Sequence, residues 1–363
     1  MEAFVEANST AKALDPNQEF NESIKARILA IKKARGPSLM ILGHHYQRHG
    51  IVEVADKIGD SFGLAKAAAE AGPVKDIVFC GVRFMAESAA ILCRPDQKVY
   101  HPEPEAGCPM ADMAPMEAVE ASWTYLNNLP DLNGRKIIPV TYMNSHAPLK
   151  TFTGTHGGLI CTSSNATKAV QWALERGDVV FFLPDQHLGR NTGKAMGFSE
   201  EQMPVWYPSK TDGGISKLNS AKMILWNGNC PIHMKFKARD VEFVKKNFPG
   251  SLVAVHPECE NEVVELADAV GSTEYLLSYV RSLPEKTRVF VATEIHLVDR
   301  LRRENPKLRV EMLSRSLCPT MYMVDLPKLL ATLEDLPEDK LVPMPDHMKG
   351  PARLALERML TLQ

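Results

Sequence analysis

Three of the seven cysteines in this 363-residue chain, Cys108, Cys230 and Cys318, are each followed by proline. A proline after a thiolate ligand removes a backbone N–H and fixes the following φ, which shapes the chain around a bulky inorganic group. One bacterial iron–sulfur pattern also ends in Cys-Pro. The recurrence favours these three thiols as metal ligands over the remaining four, Cys80, Cys93, Cys161 and Cys259.

Three thiolates so far apart in the chain meet only if the fold brings them together, and four interpretations are open. A structural zinc normally has four protein ligands with a local pair spacing, and a catalytic zinc usually includes histidine. A 4Fe-4S cluster held by three cysteines leaves one iron without a protein ligand, and that iron can bind a substrate hydroxyl or carboxylate as a Lewis acid. In the fourth interpretation the cysteines simply pack in cores.

Three short apolar runs, each typical of a buried parallel strand, end in polar residues that could contribute to such a site. The runs are SLMILGHHYQ, KIIPVTYMNS and SLVAVHPECE, and their strand ends are His44, Tyr142 and His256. Each run is followed by a hydroxyl residue that is predicted to cap an amphipathic helix, at Ser61, Ser163 and Thr273. A helix start offers hydroxyls, N–H groups and a positive dipole end to an anion.

Matched spacings indicate that one βαβ unit occurs three times. From each predicted cap, fifteen residues lead to the next strand, at Asp76, Asp178 and Arg288. The Cys-Pro pair lies 64 residues beyond the first strand end, 88 beyond the second and 62 beyond the third. We therefore predict an α/β fold of three homologous αβα domains with parallel sheets, arranged about a pseudo-threefold axis with the active site at its centre.

The repeat also sets the predicted domain boundaries. Residues 1–35 form an N-terminal helical extension, and residues 36–133 form the first domain, which the C-terminal segment 336–363 completes. Residues 134–246 form the second domain and residues 247–335 the third. The second domain carries an inserted surface loop at about 198–219, rich in Gly, Ser and Lys, which is either a lid or a decoration.

Composition excludes several classes of protein. The chain is 45% apolar and 24% charged, as in ordinary globular proteins, and its net charge of -2 argues against nucleic acid as a partner. The sequence has no apolar stretch long enough to span a membrane, and its start does not resemble a signal peptide. We expect a cytoplasmic protein, in which an odd number of cysteines favours metal ligands or catalytic thiols over disulfides.

The polar strand ends, helix starts and Cys-Pro pairs also match a known family in order. From about residue 36 to 335 the chain resembles the quinolinate synthase (NadA) family. The matching segments are LGHHYQ, GDSFGLAK, VRFMAESA, EAGCPMAD, TYMNSHA, CTSSNA, LPDQHLGRNTG, MILWNGNCPIHMKF, VHPEC, GSTEYLL and TEIHL.

The resemblance implies a reaction and a cofactor. Iminoaspartate and dihydroxyacetone phosphate condense to quinolinate, phosphate and two waters in de novo NAD biosynthesis. One 4Fe-4S cluster per chain, with three cysteine ligands and one open iron, acts as a Lewis acid in the dehydration. The partners implied are small molecules, with iminoaspartate supplied by an aspartate oxidase or dehydrogenase.

The resemblance also implies roles for individual residues. Cys108, Cys230 and Cys318 are the cluster ligands, and Tyr46, Tyr142, Glu258 and His44 are the catalytic residues. The substrate-binding set is His44, Ser61, Tyr142, Met143, Asn144, Ser163, His256, Pro257, Glu258 and Thr273. Glu258 is the proton-transferring carboxylate, which becomes useful near neutral pH if burial raises its pKa.

One feature departs from a branch of the family that carries the third ligand within C-x-x-C-x-x-C. Met312 and Arg315 occupy the other two positions here, so control through a disulfide in that motif is not expected. Two alternative functions stay open: a non-catalytic iron–sulfur sensor that holds a cluster but admits no substrate, and a zinc-dependent lyase or aldolase on the same fold.

Overall fold

The computed structural model describes residues 18–210, 212–215 and 217–362. Residues 1–17 of the predicted N-terminal extension lie outside the described residues. The same holds for positions 211 and 216 of the predicted insertion.

Thirteen strands in the described part of the chain form three separate parallel sheets. The strands are β1 Leu39–His44, β2 Lys57–Gly59, β3 Asp76–Cys80, β4 Lys98–Tyr100, β5 Ile137–Tyr142, β6 Leu159–Cys161, β7 Val179–Leu183, β8 Val205–Trp206, β9 Met223–Trp226, β10 Leu252–Val255, β11 Ala269–Val270, β12 Arg288–Ala292 and β13 Arg309–Met312. The first and third sheets have the orders β2-β1-β3-β4 and β11-β10-β12-β13. The middle sheet has the equivalent order β6-β5-β7-β9 with β8 added at the edge.

Helices flank these sheets. They are α1 Gln18–Arg35, α2 His49–Val54, α3 Ser61–Ala69, α4 Arg83–Leu92, α5 Pro109–Asp112, α6 Met116–Asn127, α7 Ala147–Thr155, α8 Ala166–Leu174, α9 Gln186–Ala195, α10 Ala238–Asn247, α11 Asn261–Leu266, α12 Thr273–Ser282, α13 Ile295–Glu304, α14 Pro319–Tyr322, α15 Leu326–Asp335 and α16 Asp346–Leu360. No described helix has the length and hydropathy needed to cross a membrane.

The sheets confirm the predicted fold class and its threefold repeat. The central strands β5 and β7 are buried along their whole length, which is why they read as continuous apolar runs rather than alternating ones. Each repeat begins with a strand, β1, β5 or β10, that pairs in parallel on both sides. The domain boundaries stay a prediction.

The predicted helix caps at Ser61 and Ser163 are wrong by a few residues. Asp60 caps α3, because its carboxylate accepts the Gly63 N–H at 2.8 Å. Asn165 holds the corresponding position before α8, so Ser163 lies in the turn that precedes that helix. A carboxylate is a good acceptor for the N–H groups at a helix start, so Asp60 takes the capping position and Ser61 becomes the first residue of the helix.

The third repeat shows the same displacement. Ser272 caps α12, and its hydroxyl accepts the Tyr275 N–H at 3.3 Å. Thr273 is therefore the first residue of the helix rather than its cap. The helix caps are satisfied by neighbours, so the hydroxyls of Ser61 and Thr273 are not needed for that purpose.

The insertion in the middle repeat differs from the surface loop that its composition predicts. Val205–Trp206 forms β8, which pairs in parallel with β9. Met203 and Trp206 are buried, and the Trp206 indole N–H donates to the Ser122 hydroxyl at 2.8 Å. These apolar side chains dock the segment on the sheet, so part of the insertion belongs to the core.

The two terminal helices pack on different repeats. Helix α1 buries Ile24 and Ile28 in the same apolar cluster as Ile41 of β1. Helix α16 crosses α7 so closely that a Cβ at Gly154 would lie 1.9 Å from the Pro351 carbonyl oxygen, which explains the glycine. The segment before α16 pairs with β4 and α16 packs on α7, so the described residues 336–362 contact both the first and the second repeat.

Candidate functional site

One cavity is lined by residues of all three repeats. Each repeat contributes four predicted residues from matching places: the strand end, the residue two positions later, the helix start and the Cys-Pro pair. They are His44, Tyr46, Ser61 and Cys108, then Tyr142, Asn144, Ser163 and Cys230, and finally His256, Glu258, Thr273 and Cys318.

Two residues of the predicted substrate-binding set, Met143 and Pro257, do not line this cavity. Met143 is buried in the core, with its sulfur 3.2 Å from the Ser88 hydroxyl. Each lies between two residues that do face the cavity.

The three Cys-Pro pairs share one local structure. In each, the cysteine carbonyl accepts an N–H four residues later, from Asp112, Met234 or Tyr322, at 3.1 Å. The prolines of α5 and α14 occupy the first helical position, where no N–H is needed. The proline thus starts a helical turn, and each sulfur lies beside N–H groups that favour a thiolate.

The donor set fits a metal group. Burial raises the pKa of the Cys108 thiol to about 12, with the nearby Cys318 thiolate adding to the effect. Burial also raises the pKa of Cys230, with further contributions from Glu258 and Cys108, and of Cys318. Three buried thiols close enough to interact would stay protonated alone, and a bound cation supplies the charge that makes them thiolates.

The environment of Glu258 is different from the one expected. Burial by itself raises the pKa of this carboxyl, but attraction to His233 and His256 and close contacts with His233 and Tyr142 outweigh it and lower the pKa to about 2. The Oε2 atom lies 2.5 Å from His233 Nδ1 and 3.6 Å from His256 Nδ1. Glu258 is therefore ionised at neutral pH, and the pKa raised by burial that would make it an effective base there is not present.

His233 also lines the cavity, and the sequence had given it no role. Its ring stacks on His256 with 4.5 Å between centroids, and both of its ring nitrogens are buried without a geometrically acceptable hydrogen bond to any described residue. Ligand atoms of Cys230, His233 and Glu258 all lie within 4.8 Å of one another, a spacing compatible with a metal ion. The available signal was the position of His233, three residues after Cys230.

Asp185 is a second buried carboxyl that sequence reasoning missed. Its Oδ1 atom caps α9 by accepting the N–H groups of His187 and Leu188 at 2.7 and 3.0 Å. Its Oδ2 atom has no partner among the described residues. Burial and the negative charge of Glu258 hold the pKa of Asp185 well above its usual range, so one carboxyl is neutral while the other is ionised.

The first repeat presents a histidine and a tyrosine to the cavity. The Tyr46 hydroxyl lies 2.6 Å from the Thr293 hydroxyl of the third repeat, and the Tyr46 N–H donates to His44 Nδ1 at 3.1 Å. Burial lowers the pKa of His44 well below its usual value. Burial and Glu258 raise the pKa of Tyr46, so both side chains are neutral.

Tyr142 and Asn144 form the corresponding wall of the second repeat. Burial, with the charge of Glu258, raises the pKa of Tyr142 well above its usual value. The side-chain oxygen of Asn144 is buried without a hydrogen-bond partner in the described structure. A buried polar atom without a partner is costly, and a bound ligand would satisfy it.

The cavity contains neither lysine nor arginine among its described lining residues. Two of its hydroxyl residues, Ser61 and Thr273, are the first residues of α3 and α12. An anion in this cavity would therefore be held by hydroxyls, N–H groups and helix dipoles, as the sequence predicted.

Comparisons with known proteins agree with this geometry. Residues 26–361 match the family model described as "Quinolinate synthetase A protein". Proteins named quinolinate synthase are similar to almost the whole chain: one from Rhodopirellula baltica is 43% identical over 98% of this chain and 96% of its own, and one from Acidobacterium capsulatum is 46% identical over 94% of each. A third, from Streptomyces coelicolor, is 46% identical over 93% of this chain and 88% of its own. The chain therefore belongs to the quinolinate synthase family of enzymes.

Proposed function

We propose that the protein condenses iminoaspartate with dihydroxyacetone phosphate to form quinolinate, phosphate and two waters in NAD biosynthesis. The observation that carries the proposal is the convergence of the three Cys-Pro cysteines on one cavity. Membership of the family supports the same reaction.

Both proposed substrates are anions, and the cavity is suited to anions without a fixed cation. Ser61 and Thr273 begin helices, and Ser163 lies just before one. Their hydroxyls and the adjacent N–H groups would hold the carboxylates and the phosphate. Asn144 would satisfy its buried oxygen by accepting a hydrogen bond from the imine or a hydroxyl of the substrate.

Glu258 would remove the proton next to the imine or carbonyl. A carboxylate with a pKa of about 2 is a weak base, but an anionic substrate beside it adds negative charge and raises that pKa once the substrate is bound. Tyr46 and Tyr142, which burial keeps neutral, would donate to the oxygens that gain charge. His44, which burial keeps neutral, and His256 would orient the carboxylates.

Cys108, Cys230 and Cys318 would hold a 4Fe-4S cluster whose fourth iron has no protein ligand. When bound, this group supplies a Lewis acid for removal of the last hydroxyl as the ring becomes aromatic. The chain's own contribution is to place the three sulfurs beside the residues that would bind the substrates.

Metal analysis of the anaerobically purified protein, followed by assay with both substrates, tests the proposal. It predicts about four irons and four sulfides per chain and formation of quinolinate. A cluster without quinolinate would instead favour the iron–sulfur sensor. Zinc without iron would favour a zinc-dependent lyase or aldolase that uses the grouping of Cys230, His233 and Glu258.

Two further points belong to the proposal. An aspartate oxidase or dehydrogenase supplies iminoaspartate, which is too reactive to be stored. The protein acts in the cytoplasm, where its seven cysteines, all free in the structure, stay reduced.

A further inference from the structure

Two of the cavity-lining residues, Asn144 and Glu258, lie on short loops that follow β5 and β10. Each loop must present one side chain to the cavity while its flanking carbonyls point elsewhere. Such loops depend on outside donors, because a buried carbonyl without a partner is costly.

Asn191 supplies those donors to the loop of Glu258. It lies on α9 of the second repeat, is only 7% exposed, and its amide nitrogen donates to the carbonyls of Pro257 and Cys259, both at 2.8 Å. These carbonyls belong to the residues on either side of Glu258. The amide is oriented by Asn261, whose side-chain nitrogen donates to the Asn191 oxygen at 3.0 Å.

Lys150 makes the equivalent contact with the loop of Asn144. It lies on α7 and is fully buried, and its Nζ atom donates to the carbonyls of Met143, at 3.0 Å, and Ser145. These are the residues on either side of Asn144. A buried ammonium is costly unless its hydrogens are bonded, so the contact with both carbonyls is well defined.

We propose that Asn191 and Lys150 are positioning residues. Each donates hydrogen bonds to the carbonyls on both sides of one cavity residue, Glu258 or Asn144, and so fixes the direction of that residue's side chain. Neither lines the cavity, so neither touches the reactants. The first repeat differs, because no described side chain donates to the carbonyls on either side of Tyr46. The Tyr46 side chain is instead held by the hydrogen bond between its hydroxyl and the Thr293 hydroxyl. The inference rests on the proposed function, in which Glu258 transfers a proton and Asn144 binds substrate.

Asn191→Asp tests the first contact in the anaerobic holoprotein. The variant keeps the shape and the oxygen that faces Asn261, but it replaces the donor with an oxygen that faces two carbonyls. We expect kcat for quinolinate formation to fall about 100-fold, because a displaced base is far less effective, while iron content and the visible spectrum stay unchanged. Asn191→Leu gives the same test if the buried carboxyl prevents folding.

Thr192→Val is the matched control. Thr192 is the next residue of α9, is equally buried, and its hydroxyl donates only to the Leu188 carbonyl within the helix. We expect unchanged kcat. An equal loss in both variants would assign the effect to packing of the helix and overturn the role of Asn191.

Lys150→Met tests the second contact with a different readout. We expect KM to rise about 10-fold, and quinolinate to bind correspondingly more weakly by calorimetry, with little change in kcat and iron content. A fall in kcat with unchanged KM and quinolinate affinity would overturn this role.

Failure of the inference can be separated from failure of the proposed function. If the parent protein makes no quinolinate, the proposed function fails. If the parent is active and a crystal structure of the Asn191→Asp protein shows the Glu258 carboxylate where it was, the inference fails.

Discussion

Substitution of Glu258 by glutamine removes the charge at the centre of the cavity and keeps its shape. A fall in pKa from the usual 4.5 to about 2 means that the fold favours the ionised carboxylate over a neutral group by about 3 kcal/mol. Since the folded pKa is the lower one, this stabilisation is present above pH 4.5 and disappears as the pH falls towards 2. At pH 7 we therefore expect Glu258→Gln to unfold about 3 kcal/mol more easily than the parent, and its turnover to fall about 10²–10⁴-fold.

Denaturant unfolding and quinolinate formation, both measured anaerobically at pH 7, check the two effects separately. Glu260→Gln is the control, since Glu260 is two residues away, makes no side-chain hydrogen bond to the start of α11 and pairs with Lys237 at the surface. A Glu258→Gln protein as stable as the parent would show that the cost of burying the carboxylate cancels its contacts with His233 and His256. Near-normal turnover would remove Glu258 from the chemistry.

Five other substitutions, two of them controls for a neighbouring or similar residue, test the metal ligands, the helix start at the cavity and the core. Cys230→Ala should lose most of its iron by metal analysis and its activity while staying folded, whereas Cys161→Ala, which alters a buried thiol outside the cavity, should keep both. Asp60→Ala should lower the free energy of unfolding by about 1 kcal/mol, because it removes a helix cap; Ser61→Ala, next to it, should leave stability unchanged and raise KM. Trp206→Ala should cost about 3–5 kcal/mol in denaturant unfolding, whereas a value near zero would return the insertion to the surface.

Much of the architecture was predictable because it follows from short sequence patterns that recur along the chain. Apolar runs, polar strand ends and helix starts recur at fixed intervals, and three copies of one pattern indicate three copies of one structure. The same repetition singled out Cys108, Cys230 and Cys318, together with the strand ends and helix starts that share their cavity. Tyr46, Asn144 and Glu258 came from the resemblance to the family.

The electrostatics of the site could not be predicted, because they depend on contacts between repeats. The low pKa of Glu258 results from rings that the fold brings within 2.5 and 3.6 Å, and burial alone would have shifted it the other way. Burial, with the negative charge of Glu258 added, holds the pKa of Asp185 well above its usual range.

The sequence by itself determined the three repeats and the residues that each one sends towards the centre, since both follow from periodicity along the chain. Only the tertiary structure decided which carboxyl is charged, that His233 contacts it, and how the Asn191 amide holds the loop of Glu258. Those properties arise from distances between residues that are remote in sequence, and no local pattern records such distances.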